Sequence, residues 1–255
     1  MKSSLDIVVE YSIKNRNDVF SEYMASRRWS ESTINNWKLG FFSAPNILSL
    51  IADIRGEKMD VFDLEKKFIC KKIGFNYKSF LFGRIIFPIY DPHGGAIAIS
   101  GRVLDDSKPK YFNTAFQKGK TLFGLNLTKK SIIEKRRAYV FEGYADVISA
   151  FQNGICNVTC CMGTTLTEDH YILLSRYAED IVLFFDNDKA GMEALKRFNE
   201  KKLDETKKDT KIFRCFLNEE KDVDEFLQKK GPEEFEKYVN DCIADLELQK
   251  KLKNV

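Results

Sequence analysis

The stretch Ile181-Val-Leu-Phe-Phe-Asp-Asn-Asp-Lys-Ala-Gly191 leaves a folding chain few options. Its five leading apolar residues are too few, too β-branched and too aromatic for a helix, and they read as a fully buried strand. The strand runs straight into two acids two positions apart, Asp186 and Asp188. From Ala190 onward Ala, Met, Ala, Leu and Phe recur at helical spacing, which predicts a tight strand-to-helix turn carrying both carboxylates. An open α/β sheet presents its ligands there, at the carboxyl ends of its strands. Acids at the mouth of a buried strand cost stability unless solvent, a base or a metal meets them. Taken alone, the run has a second, lesser reading as a solvated Asp-Asn-Asp turn.

Two further strand ends carry acids. Ala138–Phe141 reads as a strand entering Glu142-Gly143-Tyr144-Ala145-Asp146; Gly143 permits a tight turn, and Glu142 and Asp146 lie one helical turn apart. Thr210–Leu217 reads as another strand, entering Asn218-Glu-Glu-Lys-Asp222-Val-Asp224. Between these lie a helix over Tyr144–Gln152, a strand over Ile155–Cys161, a helix ending near Tyr177 with a Thr165/Glu168 capping box, and a helix over Met192–Leu203. Repeated β-α units with short loops give an α/β fold, a mostly parallel sheet flanked by helices. In such a sheet the carboxyl ends share one edge, so the acids gather. Clustered carboxylates repel one another unless a divalent cation neutralises them. Oxygen donors without His or Cys favour Mg²⁺ or Mn²⁺, the setting of phosphoryl transfer. The chain has two histidines, His93 and His170, expected in a turn and near a helix start, which argues against histidine-based catalysis. Its six cysteines form no CxxC pair and read as buried free thiols of a reducing compartment, so no zinc site is expected.

The first half differs. Residues 1–75 read as mostly helical: a stripe from Tyr11 to Met24, a helix capped near Ser30 and ending near Gly40, and amphipathic segments over Asn46–Arg55 and Val61–Lys72, the latter closed by Gly74. Gly83–Arg102 reads as two strands joined at Asp91–Gly95, with Pro88 at an edge or bulge. Lys108 and Lys110 flank Pro109 in an extended run and should point the same way; Lys118-Gly-Lys120 repeats the spacing. With Arg84 and Arg102, interleaved with Tyr111, Phe112 and Phe116, they suit phosphates and stacked bases. Residues 1–141 hold 24 Lys+Arg against 14 Asp+Glu, and residues 142–255 hold 17 against 24. A +10 half joined to a −7 half suits a protein holding a polyanion on one side and cations on the other. No apolar run reaches the ~18 residues of a membrane span, and no signal-peptide core follows Met1, so a cytoplasmic, non-membrane protein is expected.

Phe141-Glu-Gly-Tyr-Ala-Asp-Val-Ile, Gly163-Thr-Thr-Leu-Thr, Phe185-Asp-Asn-Asp-Lys-Ala-Gly and Asp222-Val-Asp224 resemble, in order and spacing, the Toprim domain of bacterial and phage DNA primases. Upstream, Arg84-Ile-Ile-Phe-Pro-Ile, Gly101-Arg-Val-Leu-Asp-Asp-Ser-Lys-Pro-Lys-Tyr-Phe-Asn and Lys118-Gly-Lys-Thr-Leu-Phe-Gly-Leu are similar to the basic subdomain of the same enzymes, and Tyr23…Arg28…Trp37-Lys-Leu-Gly-Phe41 to their N-terminal segment. The resemblance implies a basic mixed α+β subdomain over 1–127, a Toprim domain over 128–230 and a helical segment over 231–255. It implies RNA primer synthesis from ribonucleoside triphosphates on a single-stranded DNA template, with two or more Mg²⁺ or Mn²⁺ ions. Glu142 would act beside the reacting hydroxyl and metal, supported by Asp146. Asp186, Asp188, Asp222 and Asp224 would complete the metal set; Arg28, Arg84, Arg102, Lys108, Lys110, Lys118 and Lys120 would hold phosphates. Asn187 stands where the family usually has glycine, and asparagine tolerates positive φ best after glycine. The family's zinc ribbon and helicase-binding domain find no counterpart, so a replicative helicase or a separate zinc-bearing protein is the expected partner, and elongation should exceed initiation. A Toprim nuclease or topoisomerase-like hydrolase, and a non-catalytic replisome or single-strand-binding module, are the alternatives.

Overall fold

In the computed structural model, described over residues 2–53, 60–163, 165–184, 210–217 and 219–253, the stripe from Tyr11 to Met24 breaks into two helices, α1 (Ser4–Lys14) and α2 (Asp18–Ser26). Asparagines cause the break. Asn15 turns its amide back to the Tyr11 carbonyl, and the Asn17 side chain caps α2 by accepting from the Phe20 amide at 3.0 Å. Ser30 caps α3 (Glu31–Asn36), which stops before Gly40 because that residue opens β1 (Gly40–Phe42). A Cβ on Gly40 would lie 2.6 Å from the backbone carbon of Ser12, so only glycine lets β1 press against α1. After α4 (Ile47–Asp53), the helix expected through Lys72 ends early, as α5 (Val61–Lys66). Phe68 takes φ +57, and the chain enters a hairpin of β2 (Cys70–Ile73) and β3 (Asn76–Ser79) that Gly74 turns at φ +62. Gly74 therefore closes a hairpin and not a helix.

Strands β4 (Arg84–Tyr90), β5 (Ala96–Arg102) and β6 (Tyr111–Asn113) join β1 in an antiparallel sheet of order β1-β4-β5-β6. Asp91 fixes the β4–β5 turn by accepting from the amides of His93 and Gly95. Pro88 lies past the part of β4 that β1 covers and beside a register shift at Ile89/Tyr90, where a missing N–H costs least. One face of this sheet packs Ile86 and Ile99 with Leu5, Val8 and Val9 of α1; Trp29 reaches Phe87 on the other.

Contacts divide the chain at Phe116/Gln117, so residues 117–127 join the second unit and not the first. Phe123 bridges to Cys160 and meets the Tyr144 ring edge-on. The second unit runs through a 3₁₀ turn (Lys118–Lys120), α6 (Leu125–Lys135), β7 (Arg137–Phe141), α7 (Tyr144–Gln152), β8 (Val158–Cys160), α8 (Glu168–Leu174), β9 (Asp180–Phe184), β10 (Lys211–Cys215) and α9 (Val223–Lys253). Strand order is β10-β9-β7-β8 with every pair parallel. Both faces are covered, as the near-continuous apolar strands require. Ala138 and Val140 pack with Ile132, Leu174 and Leu183; Tyr139 and Phe141 pack with Phe184 and Phe235. The capping box before α8 is Thr167 with His170, not Thr165 with Glu168. Helix α9 starts at Val223, earlier than the Pro232 expected, and Gly231 (φ 81, ψ 174) interrupts it before Pro232. The expected helix over Met192–Leu203 lies outside the described residues. Among the described residues no helix is long and apolar enough to cross a membrane.

Candidate active site

Parallel strands open their carboxyl ends on one edge, and the loops after β7 and β10 meet there. Strand β7 delivers Glu142 and Gly143 to the start of α7, with Asp146 in that helix's first turn. A Cβ at Gly143 would sit 3.1 Å from Asp146 Oδ2, so glycine leaves room for the carboxylate to fold back toward the strand end. Strand β10 delivers Glu220, Lys221 and Asp222 to the start of α9. Phe141, Glu142, Asp146, Phe184, Cys215 and Asp222 line one cavity of about 320 Å³. Phe184 is the last described residue of β9; the expected metal ligands Asp186 and Asp188 lie outside the described residues.

The acids here play unlike parts. Glu142 is exposed, and Asp222 is partly so. Asp222 also caps α9, its Oδ1 accepting from the Glu225 amide at 2.9 Å, while Glu225 accepts from the Lys221 amide. Asp146 sits deeper. Burial, with the charges of Asp222 and Asp224 beside it, pushes its carboxyl up to about 7. Asp224, expected to hold metal, faces inward and is 3 % exposed. Its Oδ1 accepts from Ser149 Oγ at 2.5 Å and Gln228 Nε2 at 3.1 Å, and its amide donates to Asp146 Oδ1 at 3.1 Å. Asp224 thus ties α7 to α9 and orients Asp146. Ser149 carries no sequence signal, being one more small residue on an amphipathic helix. Among the described residues no group of three His, Cys, Asp or Glu side chains is arranged to hold a metal ion.

Lys118 and Lys120 part company. A 3₁₀ turn sets residues two apart on different sides; Lys120 is exposed, while Lys118 is half-buried with its Nζ 4.0 Å from where a Cβ on Gly163 would lie. Burial lowers the Lys118 ammonium below its ordinary range. His170 holds this turn from α8. Its Nε2 is 3.0 Å from the Lys118 and Thr121 carbonyls, and its Nδ1 accepts from the Thr167 amide. Two carbonyls require a donor, which assigns the proton to Nε2. Burial lowers the ring's pKa and keeps it neutral.

The remaining basic residues lie in the first unit. Arg84 is committed to structure: Nε donates to the Phe80 carbonyl, and Nη1 to the carbonyls of Gly101 and Pro109. Arg102 lies 4.4 Å from the Tyr23 ring centroid and 5.9 Å from that of Tyr111, and its Nε is buried without a hydrogen-bond partner in the described structure. Arg28 is exposed at φ +56 after α2. Lys108 and Lys110 are exposed on a run of bends before β6, not on an extended strand.

Residues 9–129 match the N-terminal domain of the DNA primase catalytic core, and residues 139–227 match a Toprim-like domain. The chain belongs to the DNA primase catalytic-core family. The DNA primase of Clostridium acetobutylicum is 36% identical over 247 residues, spanning 94% of this chain and 40% of the relative; the chain is thus about two fifths as long as that primase. The crystal structure of the zinc-binding and RNA polymerase domains of the Aquifex aeolicus primase superposes with a TM-score of 0.82 at 30% identity, over 93% of this chain and 60% of that one. A primase catalytic domain bound to single-stranded DNA superposes at 0.81 with 27% identity, over 93% and 79%. The Toprim architecture and the basic subdomain of a primase core are therefore both present.

Proposed function

We propose that this chain catalyses synthesis of short RNA primers from ribonucleoside triphosphates on single-stranded DNA during replication, in the cytoplasm of a bacterial or phage-infected cell. The observation that carries the reading is the cavity where Glu142 and Asp222 open beside the half-buried Asp146 at a parallel sheet edge. Carboxylate oxygens gathered around a carboxyl that burial and its neighbours push toward neutrality suit hard divalent cations, Mg²⁺ or Mn²⁺. Glu142, Asp146 and Asp222 would hold them, together with Asp186 and Asp188. When bound, such ions neutralise triphosphate charge and favour ionisation of the attacking hydroxyl.

The protein's own contribution is placement. Glu142, exposed on the loop after β7, accepts the proton or orients the 3′-hydroxyl. Asp146 keeps its orientation through the Asp224 amide. Lys118, half-buried, contributes a fixed positive charge for phosphate. Arg102, Lys108 and Lys110 offer phosphate contacts for the template, with Tyr111 beside them for stacking. A replicative helicase or a zinc-bearing protein is the partner class this reading requires. Incubating the chain with single-stranded DNA, labelled ribonucleoside triphosphates and Mg²⁺ or Mn²⁺ should yield oligoribonucleotides. Single-strand binding with no product under either metal, and none when an annealed primer is supplied, would sink the enzymatic reading.

A further inference from the structure

The hairpin β2–β3 carries features that its own stability does not explain. From Lys66 to Lys78 the chain has five lysines and no Asp or Glu. The register sets Lys71 directly opposite Lys78, a like-charge cross-strand pair that destabilises a two-stranded ribbon already marginal by itself. Partners across an antiparallel pair share a face, so Lys71, Ile73, Asn76 and Lys78 form the outer face, and all four are exposed. Cys70 and Ser79 face the core on the other. At the tip Phe75 is 102 % exposed and Ile73 57 % exposed. An uncovered aromatic among exposed lysines is the composition of a stacking platform for single-stranded nucleic acid.

Its position agrees. The base of the hairpin is joined to the basic side of the first unit: Phe80 stacks on Phe112 at 5.2 Å, Arg84 donates to the Phe80 carbonyl, and Ala115 donates to the Lys67 carbonyl. Phe112 lies two residues after Lys110, so the hairpin continues the strip that begins at Lys108 and Lys110. An acidic protein segment would satisfy the lysines but would leave the lone, fully open ring without a flat partner. A base supplies one.

We propose that the β2–β3 hairpin is a further single-strand contact, with Phe75 stacking on a base and Lys71 and Lys78 neutralising the adjoining phosphates. The inference rests on the reading of the chain as a primase core that acts on single strands. The test measures binding of a long and a short fluorescent oligothymidylate across a salt series, for wild type, Phe75→Ser, Lys71→Ala/Lys78→Ala and Lys108→Ala/Lys110→Ala. All these side chains are exposed, and thermal melting checks that each variant folds; the Lys71/Lys78 variant should melt no lower than wild type. Phe75→Ser should weaken binding of the long strand about five-fold or more and leave the short one nearly unchanged. The Lys71/Lys78 variant should flatten the salt slope by about 0.7 per lysine. If the Lys108/Lys110 variant loses affinity while both hairpin variants bind both lengths like wild type, the hairpin contact is wrong and the single-strand reading stands. If wild type binds neither length, both are wrong. Unchanged DNA affinity with loss of polyglutamate binding in the Lys71/Lys78 variant would also overturn the proposal, in favour of an acidic protein partner.

Discussion

Asp146 and Asp224 are joined by a hydrogen bond and should answer mutation in opposite ways. At Asp146 burial and the neighbouring charges both disfavour the ionised form, so Asp146→Asn should leave the fold at least as stable without metal, abolish primer extension and shrink the rise in Tm that Mg²⁺ or Mn²⁺ gives wild type. A clear fall in metal-free Tm would remove the case for a strained metal-site acid. At Asp224 the carboxylate is already satisfied by Ser149 and Gln228. Ser149→Ala takes away a buried hydrogen bond to a charged group, worth about 1.5–3 kcal/mol, and urea unfolding should register that loss. The sequence showed four to six acids converging; it did not show that one of them turns inward. That distinction depends on Ser149 lying under the start of α9, a contact separated by 75 residues in the chain.

At the scale of elements, the strand–turn–helix units were legible because apolar runs and glycines mark them without competition. Boundaries failed where two signals compete. Val61–Lys72 has helical spacing, yet Ile69 and Cys70 turn inward while Lys71 and Lys72 turn out, and β pairing with Asn76–Ser79 wins the second half. Thr165 and Thr167 both precede an acid-rich turn, and His170 decides for Thr167 by bonding back to it. That histidine also gives α8 and the 3₁₀ turn a common pH dependence. Its folded pKa lies below the unfolded value, so the unfolded chain binds the proton first, and stability falls as pH drops below about 6.5. His170→Gln keeps a donor for the carbonyls but gains no proton; it should be less stable at neutral pH and show a flatter stability profile on acidification. Equal profiles for the two proteins would mean that another group governs acid sensitivity. In the first unit, Gly40→Ala forces a Cβ into the backbone of α1 and should cost about 1–3 kcal/mol, read as a lower urea midpoint.

For the whole molecule, the charge map has to be redrawn along the structural boundary. Cut at residue 141, the sequence divides into +10 and −7; cut at Phe116/Gln117, it holds 17 basic against 13 acidic residues and 24 against 25. The basic run over 117–141 belongs to the acid-bearing unit, so the second unit holds cations as well as acids. Lys118 is the clearest case, half-buried beside Gly163 and fixed by His170 through its carbonyl. Lys108 and Lys110 lie on an exposed loop of the first unit. The two sets should therefore separate in kinetics. Lys118→Ala should lower the rate of nucleotide addition at saturating template and change template affinity little, because the charge it removes is half-buried in the acid-bearing unit. Lys108→Ala/Lys110→Ala should weaken template binding and flatten its salt dependence by about 0.7 per lysine, while the rate at saturating template stays near wild type. Parallel measurement of template Kd and single-turnover extension distinguishes them. If Lys118→Ala instead reproduces the loop variant, with affinity lost and rate kept, then Lys118 belongs to the template strip, and the acids work without a lysine of their own unit.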